Sequence, residues 1–355
     1  MNVTLKEVAE KAGVSRSAVS RTFTPGASVS KETRRKVERA AKEMGYHPSA
    51  LARGLTTGRT KLVGLVSNNF SNPAFLEIFD LFTRGLQDCG LRPLLLNLSV
   101  ESDPANSVRM LQQYSVDGVI IASSTLDQEL ASRFKQAGIP TVQTFGRASD
   151  SPVVHSVGID NVACGRLAAR TLHERGYRRV GFLGGPATAT STQDRLRGFE
   201  DEVRKTSDLN SVTTFCTAYS FAAGHVQMGR LIKEGNLPEA FFCGDDVLAI
   251  GALSAAQDAG LAVPGDLGLL GLNDMEMAGW ANINMTTIRQ PFAEIIGSAI
   301  ELMVSLLERP DRTPETRVFS CRVIERKTLR KATSERPEVA AIPAAREVSA
   351  EAANT

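Results

Sequence analysis

Apolar positions in the first forty-five residues fall with a helical period, in three short bursts. Leu5, Val8, Ala9 and Ala12 stand at i, i+3, i+4 and i+7, one stripe on a helix of about eight residues. Thr4 and Glu7 form a capping box at its start, and Gly13 ends it by taking positive φ at no steric cost. Ser15 is placed to cap a second helix, in which Ala18, Val19 and Phe23 face inward while Arg16, Ser17, Ser20 and Arg21 share the other face. After the loop TPGASV, Ser30 caps a third helix with Val37, Ala40, Ala41 and Met44 inside, and Gly45 closes it. Two short helices across a tight glycine turn, supported by a third, make the all-α helix-turn-helix pattern.

From Lys61 the period changes. KLVGLVSN, RPLLLNL, DGVIIAS and IPTVQTF are short apolar runs separated by amphipathic stretches, and RRVGFLGG, VTTFCTA, EAFFCGD and LGLLGLN repeat the scheme. Runs buried on both faces and joined by helices predict parallel sheets in a doubly wound α/β fold. The two sets predict two lobes of like architecture, whose strand ends would face each other across a ligand cleft.

Charge sharpens this division. Up to Arg59 the chain carries twelve Lys/Arg against five Asp/Glu, near +7, whereas the whole chain is only +2. A small basic module on a mildly acidic body points to a polyanion partner at one end. The second helix suits that partner, because an arginine fork matches the O6/N7 edge of guanine and serine hydroxyls suit phosphate oxygens. A plain three-helix bundle with a solvated basic face has the same pattern. The N-terminus MNVTLKEVAEKAG shows no apolar h-region and no run of about 18 apolar residues follows, so a cytoplasmic, nucleoid-associated protein with no membrane partner is expected.

Candidate chemistry is sparse. Cys89, Cys164, Cys216, Cys243 and Cys321 are far apart and the four histidines are scattered, which predicts reduced thiols and no metal site. GFLGGPATAT is glycine-rich after a strand but is not GxGxxG, and neither a P-loop nor a GxSxG elbow is present, so no cofactor and no enzymatic activity are expected. Pro48–Leu55 is too short to hold a helix alone, and Gly54 costs it about 1 kcal/mol relative to alanine. By composition it is a linker.

VTLKEVAEKAGVSRSAVSRTF and VSKETRRKVERAAKEMGYHPSALARGL together resemble the LacI/GalR family of transcriptional regulators over about the first 58 residues. SNPAF, GIDNVACGRLAARTL, GGPATATSTQDRLRGF, CGDDVLAIGAL, VPGDLGLLGLND and TTIRQP extend the resemblance to the family's periplasmic-binding-protein-like sensor, as far as about Leu329. The resemblance implies base contacts from Arg16, Ser17 and Arg21 in the major groove, and phosphate contacts from Thr4, Ser15, Ser20, Ser30 and Thr33. It makes residues 48–60 a hinge helix and linker that folds on operator DNA, with Leu55 as the minor-groove wedge and Ala52 and Arg53 beside it. It implies an effector site at Phe75, Asp160, Arg195, Tyr219, Asp245 and Asn273. The last two exchange the residue types usual in the family, a polyol-binding pair with its polarity reversed. Arg147 is either a further effector contact or a structural ion pair. Trp280, the only tryptophan, either packs a lobe or forms a platform for a sugar ring.

The resulting organisation is a helix-turn-helix domain at 1–47, the hinge at 48–60 and a two-lobed effector-binding and dimerisation domain at 61–329. The N-lobe takes about 61–158 and 290–318, the C-lobe about 159–289 and 319–329, and 330–355 forms a disordered tail. The tail from Thr333 has no leucine, so a homodimer is expected, not a tail-built tetramer. The implied function is a sequence-specific repressor of a pseudo-palindromic double-stranded operator. A small-molecule effector, a sugar or sugar acid bound between the lobes, would control its affinity.

Overall fold

Capping residues set the limits of the first helices in the computed structural model, which describes residues 3–24, 26–48, 54, 58–98, 104–126 and 128–332. Helix α1 (Leu5–Ala12) is entered through Thr4, whose hydroxyl accepts from the Glu7 N–H at 3.3 Å while the Thr4 N–H donates to the Glu7 carboxylate at 2.7 Å. It ends at Gly13, where φ is 65° and a side chain would be strained. Ser15 caps α2 (Arg16–Thr22) and Ser30 caps α3 (Lys31–Met44). Val8, Ala9, Val19, Val37, Ala40 and Ala41 form the buried centre. Thr22 is buried as well, although no apolar period marks it. Its hydroxyl donates to the Ala18 carbonyl at 2.9 Å, and Arg34 of α3 donates to the Thr22 carbonyl at 2.7 Å, which pins α3 to the end of α2. This unit reaches Leu62 and includes Tyr114–Asp117; the remaining chain forms a second unit.

The second unit holds two six-stranded sheets. The first is laid down by β1 (Leu62–Ser67), β2 (Arg92–Asn97), β3 (Gly118–Ala122), β4 (Thr141–Thr144) and β5 (His155–Ile159), with α4 (Ala74–Asp88), α5 (Pro104–Gln113) and α6 (Gln128–Gln136) in the connections. The second is laid down by β6 (Arg179–Gly184), β7 (Asn210–Phe215), β8 (Ala240–Cys243), β9 (Gly268–Asn273) and β10 (Thr287–Arg289). Its helices are α7 (Asn161–Glu174), α8 (Thr190–Lys205), α9 (Phe221–Glu234) and α10 (Asp246–Asp258), with a 3-10 turn at Glu276–Gly279. The chain then adds α11 (Phe292–Glu308), β11 (Thr316–Phe319) and β12 (Arg322–Ile324).

Strand order is β11-β5-β4-β3-β1-β2 in one lobe and β12-β10-β9-β8-β6-β7 in the other. The inner pairs are parallel, Val63 lying opposite Gly118 and Val180 opposite Ala240; β12 runs antiparallel to β10, with Thr287 opposite Ile324. Both faces of β3, β8 and β9 are buried, which is why their sequences are near-continuous apolar runs instead of alternations.

The chain passes between the lobes after β5, between β10 and α11, and between β11 and β12. Helix α11 returns to the first lobe and buries Ile295, Ile296, Ala299, Leu302 and Met303 against β3, β4, β5 and α4. Arg330, expected to begin the tail, is instead held: its backbone N–H donates to the Tyr177 hydroxyl at 3.0 Å and its guanidinium lies 4.5 Å from that ring's centre. Residues 333–355 lie outside the described residues. Strand order reverses between β1 and β3 in one lobe and between β6 and β8 in the other, and the crevice beyond the carboxyl ends of such strands is where a doubly wound sheet takes ligands.

Candidate functional site

Two features carry functional chemistry, one in each unit. On α2, Arg16, Ser17 and Arg21 are exposed and Ser20 is half-buried, so the polar face read from the sequence stands free of the helical core. The Arg21 Nε donates to the Ser17 carbonyl at 3.3 Å, and the Ser15 and Ser17 hydroxyls lie 2.9 Å apart. Arg16 has no ion-pair partner among the described residues, leaving its guanidinium fork for an external acceptor. Thr4, Ser15 and Ser30 occupy the N-caps of the three helices, and Thr33 lies in the first turn of α3, its hydroxyl accepting from Ser30 at 2.9 Å. Ala52, Arg53 and Leu55 lie outside the described residues.

In the second unit a cavity of about 430 Å³, part of it open to solvent, lies between the strand ends of the two lobes. Its wall takes Asn72 and Phe75 from beyond β1, Tyr219 from beyond β7, Asp245 from beyond β8, Asn273 from the end of β9 and Arg195 from α8. Phe75, Phe145 and Phe292 make an aromatic side, with edge-on contacts at 6.4 Å and 5.7 Å between ring centres.

The polar side is one hydrogen-bonded chain. Asp245 Oδ1 accepts from the Val247 N–H at 2.8 Å and so caps α10. Its Oδ2 accepts from Asn72 Nδ2 and Asn273 Nδ2, each at 2.9 Å. Gln290 Nε2 donates to Asn273 Oδ1 at 2.6 Å. Asn273 reaches this position with φ at 119°, a strained backbone for any residue but glycine. Burial pushes the Asp245 carboxyl up to about 6, against the hydrogen bonds from Val247 and Asn72 and the charge of Arg195. Arg195 is itself buried; its Nε donates to Asn161 Oδ1 and its Nη1 to the Gly244 carbonyl, each at 2.8 Å. A guanidinium has five N–H donors, so these bonds leave others for a ligand.

Of the residues expected around an effector, the structure brings Phe75, Arg195, Tyr219, Asp245 and Asn273 to this cavity. It does not bring Asp160, Arg147 or Trp280. The Asp160 carboxylate caps α7, accepting from the Val162 and Ala163 N–H groups at 2.9 Å, and that turn presents Asn161 to the cavity in its place. Arg147 forms a two-pronged ion pair with Asp194 at 2.8 Å and 2.9 Å. Trp280 follows the 3-10 turn and is 47% exposed. Asn72, Asn161 and Gln290 were missed, although they stand inside SNPAF, GIDN and TTIRQP. For Asn161 the signal is capping, since Asp160 serves the α7 N–H groups and its neighbour is left to face the cavity; Asn72 and Gln290 carry no such local mark, Asn72 itself accepting from the Ala74 N–H.

Comparison with known proteins follows the same division. Residues 4–49 match the family described as bacterial regulatory proteins, lacI family, and residues 169–329 match the periplasmic binding protein-like domain. The chain is similar to the HTH-type transcriptional repressor PurR of Proteus mirabilis, 30% identical over 332 residues, covering 92% of this chain and 96% of the relative. It is similar to the crystal structure of the lac repressor dimer bound to operator and the anti-inducer ONPF, with a TM-score of 0.82 at 26% identity over 92% of this chain and 99% of the other. A complex of the transcriptional regulator CelR with cellobiose has a TM-score of 0.69 at 28% identity over 92% of this chain and all of the other.

Proposed function

The chain belongs to the LacI family of bacterial regulatory proteins, and on that premise we propose that it is an operator-binding repressor controlled by a sugar or sugar acid held between its lobes. The observation that carries the effector reading is the buried Arg195 beside Asp245, Asn72 and Asn161, facing a phenylalanine wall. Guanidinium and amide N–H groups donate to carboxylate and hydroxyl oxygens, a carboxylate accepts hydrogen bonds from hydroxyls, and the aromatic side covers the apolar face of a ring. The lac repressor is solved bound to ONPG and CelR in complex with cellobiose, and the second, a sugar, supports a carbohydrate here.

Asn72 belongs to one lobe and Asp245 to the other, so a ligand among them has different contacts when the lobes move. Such a ligand shifts the population of lobe arrangements, and the coupling to DNA is reciprocal. The exposed Arg16, Ser17 and Arg21 would read one half-site, and a two-fold dimer reads a pseudo-palindrome. Leu76 on α4 and Val226 on α9 are 72% and 69% exposed, apolar surface that supports a homodimer.

The test pairs two variants. Arg16→Ala is expected to abolish binding to an operator selected from a random DNA pool while leaving the thermal shift with its effector intact. Arg195→Ala is expected to keep DNA binding and lose the shift across a panel of sugars and sugar acids. Selection of no DNA sequence would sink the repressor reading; a shift confined to ligands other than carbohydrates would sink the effector class.

A further inference from the structure

The segment read as the hinge ends at a corner built around one carboxylate. Asp117 Oδ1 accepts from the Thr60 N–H at 3.0 Å, and its Oδ2 accepts from the Lys61 N–H at 2.8 Å. The Thr60 hydroxyl donates to the Ser115 carbonyl at 2.6 Å and accepts from the Leu62 N–H at 3.3 Å. The Asp117 N–H donates in turn to the Leu62 carbonyl at 2.8 Å. Lys61 at φ 61° and Ser115 at φ 51° both take the left-handed backbone that favours glycine. Other residues keep such backbone only where surrounding bonds over-determine it, as these do. Asp117 is followed at once by Gly118, the first residue of β3, and Leu62 is the first residue of β1, so the corner continues directly into two neighbouring strands. None of these residues lines the cavity. Gly54 lies against the same corner: a Cβ there would stand 3.3 Å from both Cα and Cγ2 of Thr60, closer than ordinary contact. The glycine that weakens the hinge as a helix is therefore what lets it seat on Thr60.

We propose that Asp117 and Thr60 form a clamp that fixes where, and in what direction, the hinge leaves the first strand, and that Asp117 is thereby a positioning residue for operator recognition. The inference rests on the operator-binding reading and adds to it a residue that belongs neither to the polar face of α2 nor to the cavity. A two-fold dimer reads both half-sites only when its two helix-turn-helix units are held at the right spacing. A fixed exit lowers the ordering cost of that arrangement, and a loose one restores it. Contacts with phosphates alone carry no sequence and need no such register. The clamp requires two acceptors on one short side chain. A carboxylate supplies them; the NH₂ of an asparagine would confront one of the backbone N–H groups.

The experiment uses the full-length parent with Asp117→Asn, Thr60→Val and Thr60→Ser, a duplex that the parent selects from a random DNA pool, and a scrambled duplex of the same length. Fluorescence anisotropy reads the affinity for each duplex, beside the thermal midpoint of each protein. Asp117→Asn is expected to lose about tenfold in affinity for the selected duplex and to bind the scrambled one no more weakly than the parent does. Loss of a negative charge would by itself strengthen attraction to DNA, so the expected fall has the opposite sign from plain electrostatics. Thr60→Val, which removes the hydroxyl alone, is expected to weaken binding in the same selective way. Thr60→Ser keeps the hydroxyl and should match the parent. A folded Asp117→Asn protein that grips the selected duplex as tightly as the parent, or more tightly, would overturn the proposal. So would an equal loss on both duplexes. Should Asp117→Asn not fold, Thr60→Val decides, and parent-like affinity there overturns the clamp. A parent that selects no duplex fails the repressor reading itself, and the clamp with it.

Discussion

Asp246 is wholly buried, with its carboxylate oxygens taken by the Thr287 hydroxyl at 2.6 Å and the Met275 N–H at 2.9 Å. Burial pushes its carboxyl up to about 7, and the neighbouring Asp245 charge adds to the rise. In the unfolded chain the group loses its proton near 3.8, so between those values the folded protein holds the extra proton. Stability is then full at acid pH and is lost as pH climbs toward 7; Asp245, raised to about 6, acts in the same direction. The expected outcome is a thermal midpoint that falls from about pH 5 to about pH 8. Asp246→Asn keeps both bonds, its amide oxygen accepting from Met275 and its NH₂ donating to the Thr287 oxygen. The variant should flatten the profile and gain at most about 4 kcal/mol at pH 8. Denaturant titration at both ends of the range measures this; a variant that keeps the parent slope removes Asp246 from the explanation.

At the scale of elements, α7 and α8 meet through glycines. A Cβ at Gly165 would run into the Arg195 carbonyl oxygen, and one at Gly198 into the Val162 carbonyl oxygen, both far inside van der Waals contact with rigid backbone. The helices therefore approach closely only because these positions have no side chain, and that approach sets the height of Arg195 at the cavity. Gly198→Ala is expected to cost about 1–3 kcal/mol as an overpacked contact. It should also weaken effector binding, although residue 198 does not line the cavity. Chemical denaturation together with calorimetric titration of the effector checks both. Unchanged affinity in a destabilised variant would show that Arg195 is positioned by something other than this helix pair.

Across the whole sensor unit, contacts join the lobes over the cleft. Asn72 donates to Asp245, the Ser191 hydroxyl donates to the Ser124 carbonyl at 3.0 Å, and Arg147 grips Asp194. The first is inside the cavity; the last is outside it, with the Arg147 side chain 41% exposed and that of Asp194 only 6%. Arg147→Ala thus tests lobe closure without altering the ligand's own contacts. Solvent screens a half-exposed pair, so the expected loss is on the order of 1 kcal/mol, a roughly 3–10-fold rise in effector Kd. Calorimetric titration reads it. Equal affinities in parent and variant would mean that this ion pair does not favour the ligand-bound arrangement.

Local rules determined a great deal of this protein in advance. Thr4, Gly13, Ser15, Ser30 and Gly45 delimit the first three helices because capping acts over a few residues, and continuous apolar runs announce parallel strands because both faces of each are covered. The two-lobed plan follows from the repetition of those runs. Tertiary structure alone decided which polar residue of a loop looks into the cavity. Asp160 and Asn161 are neighbours in sequence, yet helix capping claims the first and Arg195 the second. It also paired Arg147 with Asp194, partners far apart along the chain. Periodicity reports the direction of a side chain relative to its own element, and it carries nothing about which other element will be packed opposite.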